Sequence, residues 1–186
     1  EGMGTSLWIF AVTLIFSLPL GLLISFGRMS KNKIISTIFK LYISVMRGTP
    51  LMLQLWFFYF FFPFNFGITF DALTTAVLTY VLNYAAYFAE IYRGGINSID
   101  RGQYEAAHAL GLSRKQTMFD IILPQTMKAI LPPVVNEAIT LVKDTALVSS
   151  LAVVDLMKAT NSAVNRMTSL TPFFYAAIIY LLMTLV

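Results

Sequence analysis

The stretch LWIFAVTLIFSLPLGLLISF, residues 7–26, decides the fold class of this chain. It contains no charged side chain, and the charge-free region around it extends over residues 2–27. An α-helix of roughly 20 apolar residues crosses the hydrocarbon core of a bilayer. We therefore predict a membrane span over residues 5–27. Pro19 and Gly21 predict a kink in this span, because neighbouring helices in a membrane protein can satisfy the carbonyls that a kink frees.

The rest of the chain has the same apolar character. Hydrophobic residues make up 58% of the 186 residues and charged residues 12%, which is outside the usual balance of a soluble domain. This predicts an all-α, polytopic membrane protein with about five transmembrane helices in a single domain, residues 1–186. The predicted spans cover residues 5–27, 48–63, 72–91, 126–143 and 167–186. Both ends are expected to be trimmed, and no cleavable signal peptide is expected.

The positions of the basic residues predict the orientation. Arg28, Lys31 and Lys33 directly follow the first span, and cytoplasmic loops carry an excess of Lys and Arg. The N-terminus is therefore predicted outside, and the long polar loop, residues 92–125, in the cytoplasm. Residues 34–46 are amphipathic, which predicts a helix at the membrane surface that leads into a short second span. The net charge of +4 follows from this topology and does not indicate nucleic-acid binding.

Several classes of protein are excluded or disfavoured. The chain has no cysteine, which excludes disulfides, thiol nucleophiles and cysteine-based metal sites. The single histidine, His108, lies in the predicted loop and no H-E-x-x-H sequence occurs, which disfavours an intramembrane enzyme. No G-x-x-x-x-G-K-[ST] phosphate loop occurs, so the chain is not expected to bind ATP. We expect no catalytic residue, metal site or cofactor in this chain.

The cytoplasmic loop contains a compact local pattern. The sequence QYEAAHALG, residues 103–111, predicts a short alanine-rich helix that ends at Gly111. Ser113 and Gln116 have the spacing of a capping box, which starts a second helix. A helix with small side chains at the membrane surface can enter a groove on a soluble partner. The alternative is an ordinary connecting helix.

This loop resembles the EAA signature of ABC importer permeases, the loop that docks on the ATP-hydrolysing subunit. The resemblance is carried by Glu105-Ala106-Ala107, by Gly111 and by Ile122-Leu123-Pro124. Three further stretches resemble the polar amino-acid branch of that family, the histidine, glutamine and arginine type. They are RGTPL at residues 47–51 with Gln54, AEIYRGGI at residues 89–96 and LVKDTAL at residues 141–147.

The resemblance implies a type I importer fold in the bacterial cytoplasmic (inner) membrane. It implies a dimer of permease subunits, identical or different, and two ATPase subunits that bind ATP and Mg. It also implies an extracytoplasmic solute-binding protein that delivers the substrate, a polar and preferably basic amino acid. The chain would be a transport subunit and not an enzyme. The residues implied to dock on the ATPase are Glu105, Ala106, Ala107, Gly111 and Leu112.

Two polar faces within the predicted spans are candidates for the substrate pathway. Ionisable groups in a bilayer cost about 2.5–3.5 kcal/mol on insertion scales, so they face a cavity or a partner. Spacings of three, four and seven residues put each set of side chains on one helical face. The candidates are Asn83, Tyr87 and Glu90 on the third span and Asn136, Glu137, Thr140, Lys143 and Asp144 on the fourth.

These side chains match the needs of a zwitterionic amino acid. Such a substrate requires an acceptor for its ammonium group and a donor for its carboxylate. Glu137 or Asp144 can accept, and Lys143 or Asn136 can donate. The acidic groups of the fourth span favour a basic amino acid.

Ion pairing within the chain is the alternative role for some of these groups. Glu90 and Arg93 are three residues apart and can pair on one helical face. Lys143 can pair with a nearby carboxylate. Asp155 and Lys158, also three residues apart, are expected to form a pair at the surface or at a gate.

Other transport functions remain open from the sequence. One is a permease for another small solute, such as methionine or an opine. Another is an ion-coupled secondary transporter that uses Glu90 and Glu137 as relays. Pro124, Pro132 and Pro133 lie between the docking loop and the polar face of the fourth span. We therefore expect movement of the loop to tilt or bend this helix.

Overall fold

The chain folds into a bundle of α-helices. The computed structural model describes residues 2–185, and this range contains no β-strand. The all-α prediction is therefore confirmed. In chain order the helices are α1 (Gly2–Arg28), α2 (Lys33–Gly48), α3 (Leu51–Phe66), α4 (Ala72–Asn97), α5 (Arg101–Ala109), α6 (Arg114–Gln116), α7 (Leu123–Asp144), α8 (Leu156–Met167) and α9 (Thr171–Thr184). A π-helical segment, Thr117–Ile122, precedes α7, and a 3-10 segment, Thr145–Leu151, follows it.

The predicted spans coincide with helices, although not all bounds agree. α1 and α4 are long and apolar enough to cross a membrane, and α3 and α9 are apolar but shorter. α7 begins at Leu123, three residues before the predicted fourth span. α9 begins at Thr171, because Met167 still belongs to α8 and residues 168–170 form a turn in which Thr168 has φ of 48°. The predicted end of this span, residue 186, lies outside the described residues.

α1 and α4 form the central pair of the bundle. The buried face of α1 consists mainly of small residues, and its outward face carries large apolar side chains that suit contact with lipid. At Gly21 a Cβ atom would lie 2.8 Å from Phe88 Cβ and 3.0 Å from the Ala85 carbonyl oxygen. Small residues are enriched where membrane helices touch because they let the backbones approach closely. Gly21 therefore sets the distance between α1 and α4.

α2 packs against the middle and second half of α4. The Tyr42 hydroxyl donates to the Leu82 carbonyl oxygen at 2.6 Å, near the middle of α4. Ile43 and Met46 are buried in a cluster with three alanines of α4, Ala85, Ala86 and Ala89. α3 continues beyond a break at Thr49 and Pro50 and packs on the first half of α4. α2 and α3 therefore lie one after the other along α4.

α4 is longer than predicted and extends six residues into the expected cytoplasmic loop. Its first turn is capped by Asp71, whose carboxylate accepts a hydrogen bond from the Thr74 amide at 3.0 Å. Hydrogen bonds from the Thr74 hydroxyl and amide hold the pKa of Asp71 below its usual value. At the other end, a Cβ at Gly95 would lie 2.1 Å from Ile130 Cγ2. The glycine is therefore a close contact with α7 and not the end of the helix.

α8 begins at a buried aspartate. The Asp155 carboxylate accepts hydrogen bonds from the backbone N–H groups of Met157, at 3.1 Å, and Lys158, at 2.8 Å. The expected ion pair with the Lys158 side chain is wrong, because these oxygens serve the helix N-terminus, where amides lack intrahelical partners. Burial raises the pKa of Asp155, and the amide hydrogen bonds oppose that shift.

A substitution at Gly21 tests the contact between α1 and α4. Gly21→Val places a branched side chain against the α4 backbone, and overpacking of this kind costs about 1–3 kcal/mol. We expect the purified protein in detergent to lose its monodisperse state at a lower temperature than the unsubstituted chain. Gly4→Val is the control, because a Cβ at Gly4 on the same helix meets nothing within 4 Å. Equal effects of the two substitutions would contradict close packing at Gly21.

Candidate substrate pathway and docking helix

α4 and α7 are joined by hydrogen bonds at the end of α7. The Tyr84 hydroxyl donates to the Asp144 carboxylate at 2.7 Å, and the Tyr80 hydroxyl donates to the Asp144 carbonyl oxygen at 2.5 Å. The structure therefore brings together the two helices whose polar faces the sequence singled out. Sequence reasoning missed the two tyrosines. The sequence did contain a signal for them: Tyr80 and Tyr84 are four residues apart, which places them on one helical face, and Tyr84 directly follows Asn83.

The candidates on α7 differ in exposure, and Thr140 is half-buried like Asp144. Glu137 is half-buried, whereas Asn136 and Lys143 are exposed. The Thr140 hydroxyl donates to the Asn136 carbonyl oxygen at 3.0 Å, within the helix. Both ion pairs found among residues 2–185 involve Glu90, and none involves Glu137. The Glu137 carboxylate thus lies beside α4 without a basic partner in the described part of the chain.

Asn83 belongs to a buried amide network at the break between α2 and α3. Its side-chain amide donates to the Met46 carbonyl oxygen and to Gln54 Oε1, both at 2.9 Å. The Gln54 amide also donates to the Met46 carbonyl, at 2.9 Å, and to the Thr49 hydroxyl, at 2.7 Å. Met46 lies in the last turn of α2, where carbonyls lack intrahelical partners. Asn83 therefore contacts the protein and not an open pathway in this conformation.

Glu90 is the centre of a charged cluster in the second half of α4. Arg93 donates three hydrogen bonds to its carboxylate, at 2.7, 3.0 and 3.1 Å. The alternative prediction, that these two residues pair, is confirmed. Arg47 Nη1 lies 4.0 Å from the same carboxylate, and its guanidinium lies over the Tyr87 ring, 5.1 Å from the ring centroid. Sequence reasoning did not place Arg47 here, because the contact depends on how α2 packs on α4.

The predicted docking loop has the expected arrangement of helix, corner and helix. α5 ends just before Gly111, which has φ of 73° and so adopts a conformation that favours glycine. The Ser113 hydroxyl and the Gln116 side chain form the predicted capping box. Within α5, Glu105 and Ala106 are exposed and Ala107 is buried against its own chain. The helix therefore presents one face to solvent and one to the bundle.

A π-helical segment connects this loop to α7. Pro124 has no backbone N–H and its ring crowds the carbonyl four residues earlier, which disfavours a regular α-helix there. The Gln125 side-chain amide donates to the Ile121 carbonyl oxygen at 2.9 Å and to Gln103 Oε1 at 3.1 Å. The second bond joins α7 directly to α5. The loop and α7 are therefore linked by side chains as well as by the backbone.

Comparison with known proteins identifies the family. Residues 17–186 match the family described as the binding-protein-dependent transport system inner membrane component. The arginine transport system permease protein ArtQ of Bacillus subtilis is 41% identical over 187 aligned positions, covering 100% of this chain and 85% of that protein. The putative glutamine transport system permease protein GlnP of Rickettsia felis is 37% identical, with the same coverage.

Solved structures agree with this assignment. A chain from the crystal structure of an amino acid ABC transporter with histidines has a TM-score of 0.91 and 36% identity, covering 99% of this chain and 86% of that one. The MetNI methionine ABC transporter in an inward-facing conformation has a TM-score of 0.72 at 18% identity, covering 97% of this chain and 85% of that one. The second similarity concerns the fold alone.

The amide network can be tested by removing one donor. Asn83→Ala leaves Gln54 Oε1 without this donor and the Met46 carbonyl with one partner fewer. An unsatisfied buried polar group costs about 1–3 kcal/mol, so we expect a lower unfolding temperature in detergent. Asn97→Ala is the matched control, because Asn97 is exposed at the end of the same helix. A transition unchanged by Asn83→Ala would show that the network does not stabilise the break.

Proposed function

The chain belongs to the family of binding-protein-dependent transport system inner membrane components, and on that premise we propose that it carries basic amino acids into a bacterial cell. It is the transmembrane subunit of an amino-acid ABC importer. A separate ATPase subunit and a solute-binding protein work with it, as in the family generally. This membership excludes the ion-coupled secondary transporter that the sequence left open.

The proposal of a basic substrate rests on which carboxylates already have a partner in the protein. The Glu90 carboxylate is occupied by Arg93, and the Asp144 carboxylate accepts a hydrogen bond from Tyr84. Glu137 has neither kind of partner within residues 2–185 and is half-buried beside α4. Burying an unpaired charge is costly in a low-dielectric environment. A substrate cation, either an ammonium or a guanidinium group, would supply the missing charge.

The remaining candidates fit the rest of the substrate. Asp144 lies two turns from Glu137 on the same face of α7 and can accept from a second cationic group. Lys143 and Asn136 are exposed and can donate to a carboxylate. The name of the Bacillus subtilis relative, an arginine transport system permease, supports this substrate class. No charged group of comparable kind among the described residues favours the alternative substrates, such as methionine or an opine.

The exposed face of α5 supports docking on the ATPase. Glu105 and Ala106 face solvent, and Gly111 and Leu112 form the corner that follows them. Ala107 is buried against its own chain, so it would pack α5 onto the bundle and not contact the ATPase. ATP and Mg would bind on the ATPase. Two permease subunits and two ATPases would form the complex, with the N-terminus outside and the docking loop in the cytoplasm.

A charge reversal on α5 tests the docking. We expect Glu105→Arg to reduce copurification with the co-encoded ATPase and to abolish amino-acid-stimulated ATP hydrolysis in proteoliposomes that contain the binding protein. The reason is that the exposed carboxylate orients the helix in the partner groove. Asp120→Arg is the control, with the same charge change at an exposed position outside α5. Unimpaired stimulation in the Glu105 variant would contradict docking through this face.

The role of Glu137 is tested by removing its charge. Glu137→Gln should lower uptake of arginine or lysine about 10- to 100-fold, because a hydrogen bond to a charged group contributes about 1.5–3 kcal/mol. Uptake is measured in proteoliposomes with a fixed binding protein. Glu137→Asp retains the charge and should restore part of the uptake. Similar losses in both variants would indicate a structural role and contradict the proposed contact with substrate.

A further inference from the structure

A cavity of about 370 Å³ lies where the end of α1 and the second half of α2 meet α4. Its walls carry an unusual proportion of basic side chains. The lining residues are Arg28, Lys40, Ile43, Ser44, Arg47, Gly48 and Glu90. None of the basic residues among them was predicted to belong to the substrate pathway.

The positive charge of this cavity is not balanced by the chain. Glu90 is the one acidic residue in its lining, and three hydrogen bonds from Arg93 already occupy that carboxylate. Arg47 reaches Glu90 only at 4.0 Å, and its side chain remains 43% exposed. Arg28 donates to the Ser36 hydroxyl at 3.0 Å. The cavity therefore has room and positive charge for one further anionic group.

Arg47 is held in a fixed position but keeps hydrogen-bond donors free. Its guanidinium lies over the Tyr87 ring, an arrangement in which the cation is attracted to the face of the ring. The amide network fixes the backbone of Met46, the preceding residue. A guanidinium has five N–H donors in a planar fork that matches a carboxylate or phosphate. Arg47 is thus arranged to bind an oxyanion.

The cavity is on the side of α2 that faces Glu90 of α4. The opposite face of this helix carries exposed apolar residues, among them Ile38, Leu41 and Val45, which suit contact with lipid. Two candidates for the substrate pathway lie at this cavity: Glu90 belongs to its lining, and the Tyr87 ring lies under the Arg47 guanidinium. The anion site therefore adjoins the candidate pathway on α4.

We propose that this cavity binds the α-carboxylate of the transported amino acid, with Arg47 as the principal donor and Lys40 as a second cation. The proposal rests on the proposed function and adds to it a residue that determines specificity. A substrate on its way inward would present its cationic group to Glu137 and its carboxylate to Arg47. Amines that lack the carboxylate would then be poor substrates.

The absence of cysteine from this chain makes a direct test possible, because one introduced thiol is unique within it. Gly48→Cys places the thiol in the cavity wall, and a Cβ at Gly48 meets nothing within 4 Å. The complete transporter, in nanodiscs of zwitterionic phospholipid, is treated with a sulfonate-bearing thiol reagent or a trimethylammonium-bearing one. Labelling of the permease chain is followed by mass spectrometry.

We expect the anionic reagent to label the thiol about tenfold faster than the cationic one, because a charged cleft raises the local concentration of counter-ions. Adding Arg47→Gln should remove most of this preference. Lys33→Gln is the matched control, since it removes one positive charge from the same helix outside the cavity lining. L-arginine should slow labelling by the anionic reagent, and agmatine, its decarboxylated analogue, should not.

Equal rates for the two reagents, or equal protection by arginine and agmatine, would overturn the proposal. Slower labelling in nanodiscs that contain phosphatidylglycerol, without protection by arginine, would assign the cavity to a lipid phosphate and would also overturn it. Ser44→Cys, in the same wall, provides a second reporter if the Gly48 variant does not assemble.

A separate measurement distinguishes this proposal from the proposed function. ATP hydrolysis of the unsubstituted transporter is measured with and without amino acid and binding protein. Stimulation by arginine or lysine together with unprotected thiols would refute the carboxylate site alone. No stimulation by any basic amino acid would refute the proposed function itself.

Discussion

The close contact between α1 and α4 is the constraint on which the rest of the structure depends. Lipid is as apolar as a leucine side chain, so membrane helices gain little from burying hydrophobic surface against each other. The contact relies instead on packing between small residues, with Gly21 against the backbone of α4. α4 becomes the central helix of the bundle as a result. Its remaining faces are then available to α2, α3 and α7.

The break between α2 and α3 creates a second constraint. Backbone groups that leave the helical pattern inside a bilayer must find partners within the protein. Asn83 and Gln54 provide them at the break between α2 and α3. The same bonds fix the position of Arg47, the residue that follows Met46. One structural requirement of the fold thus also places a charged group beside the candidate pathway.

The sequence predicted those features that depend on local pattern or on long apolar runs. α1 and α4 were recognisable by apolar length, and the corner at Gly111 and the capping box of Ser113 by local backbone chemistry. The position of α2 on α4 was not predicted, because an amphipathic helix has the same pattern whether its polar face contacts water or an internal cavity. The role of Gly95 was not predicted either, since sequence alone does not distinguish a flexible glycine from a close contact. The clustering of Arg47 with Tyr87 depends on tertiary packing, which no spacing rule describes.

α7 contacts α4 at two separate places. One is the contact of Gly95 with Ile130, and the other is the pair of hydrogen bonds to Asp144 near its far end. These two attachments hold the helices together on either side of Glu137. Because the Gln125 side chain also joins α7 to α5, a movement of the docking loop that tilts α7 would carry α4 with it, together with the charged cluster at Glu90.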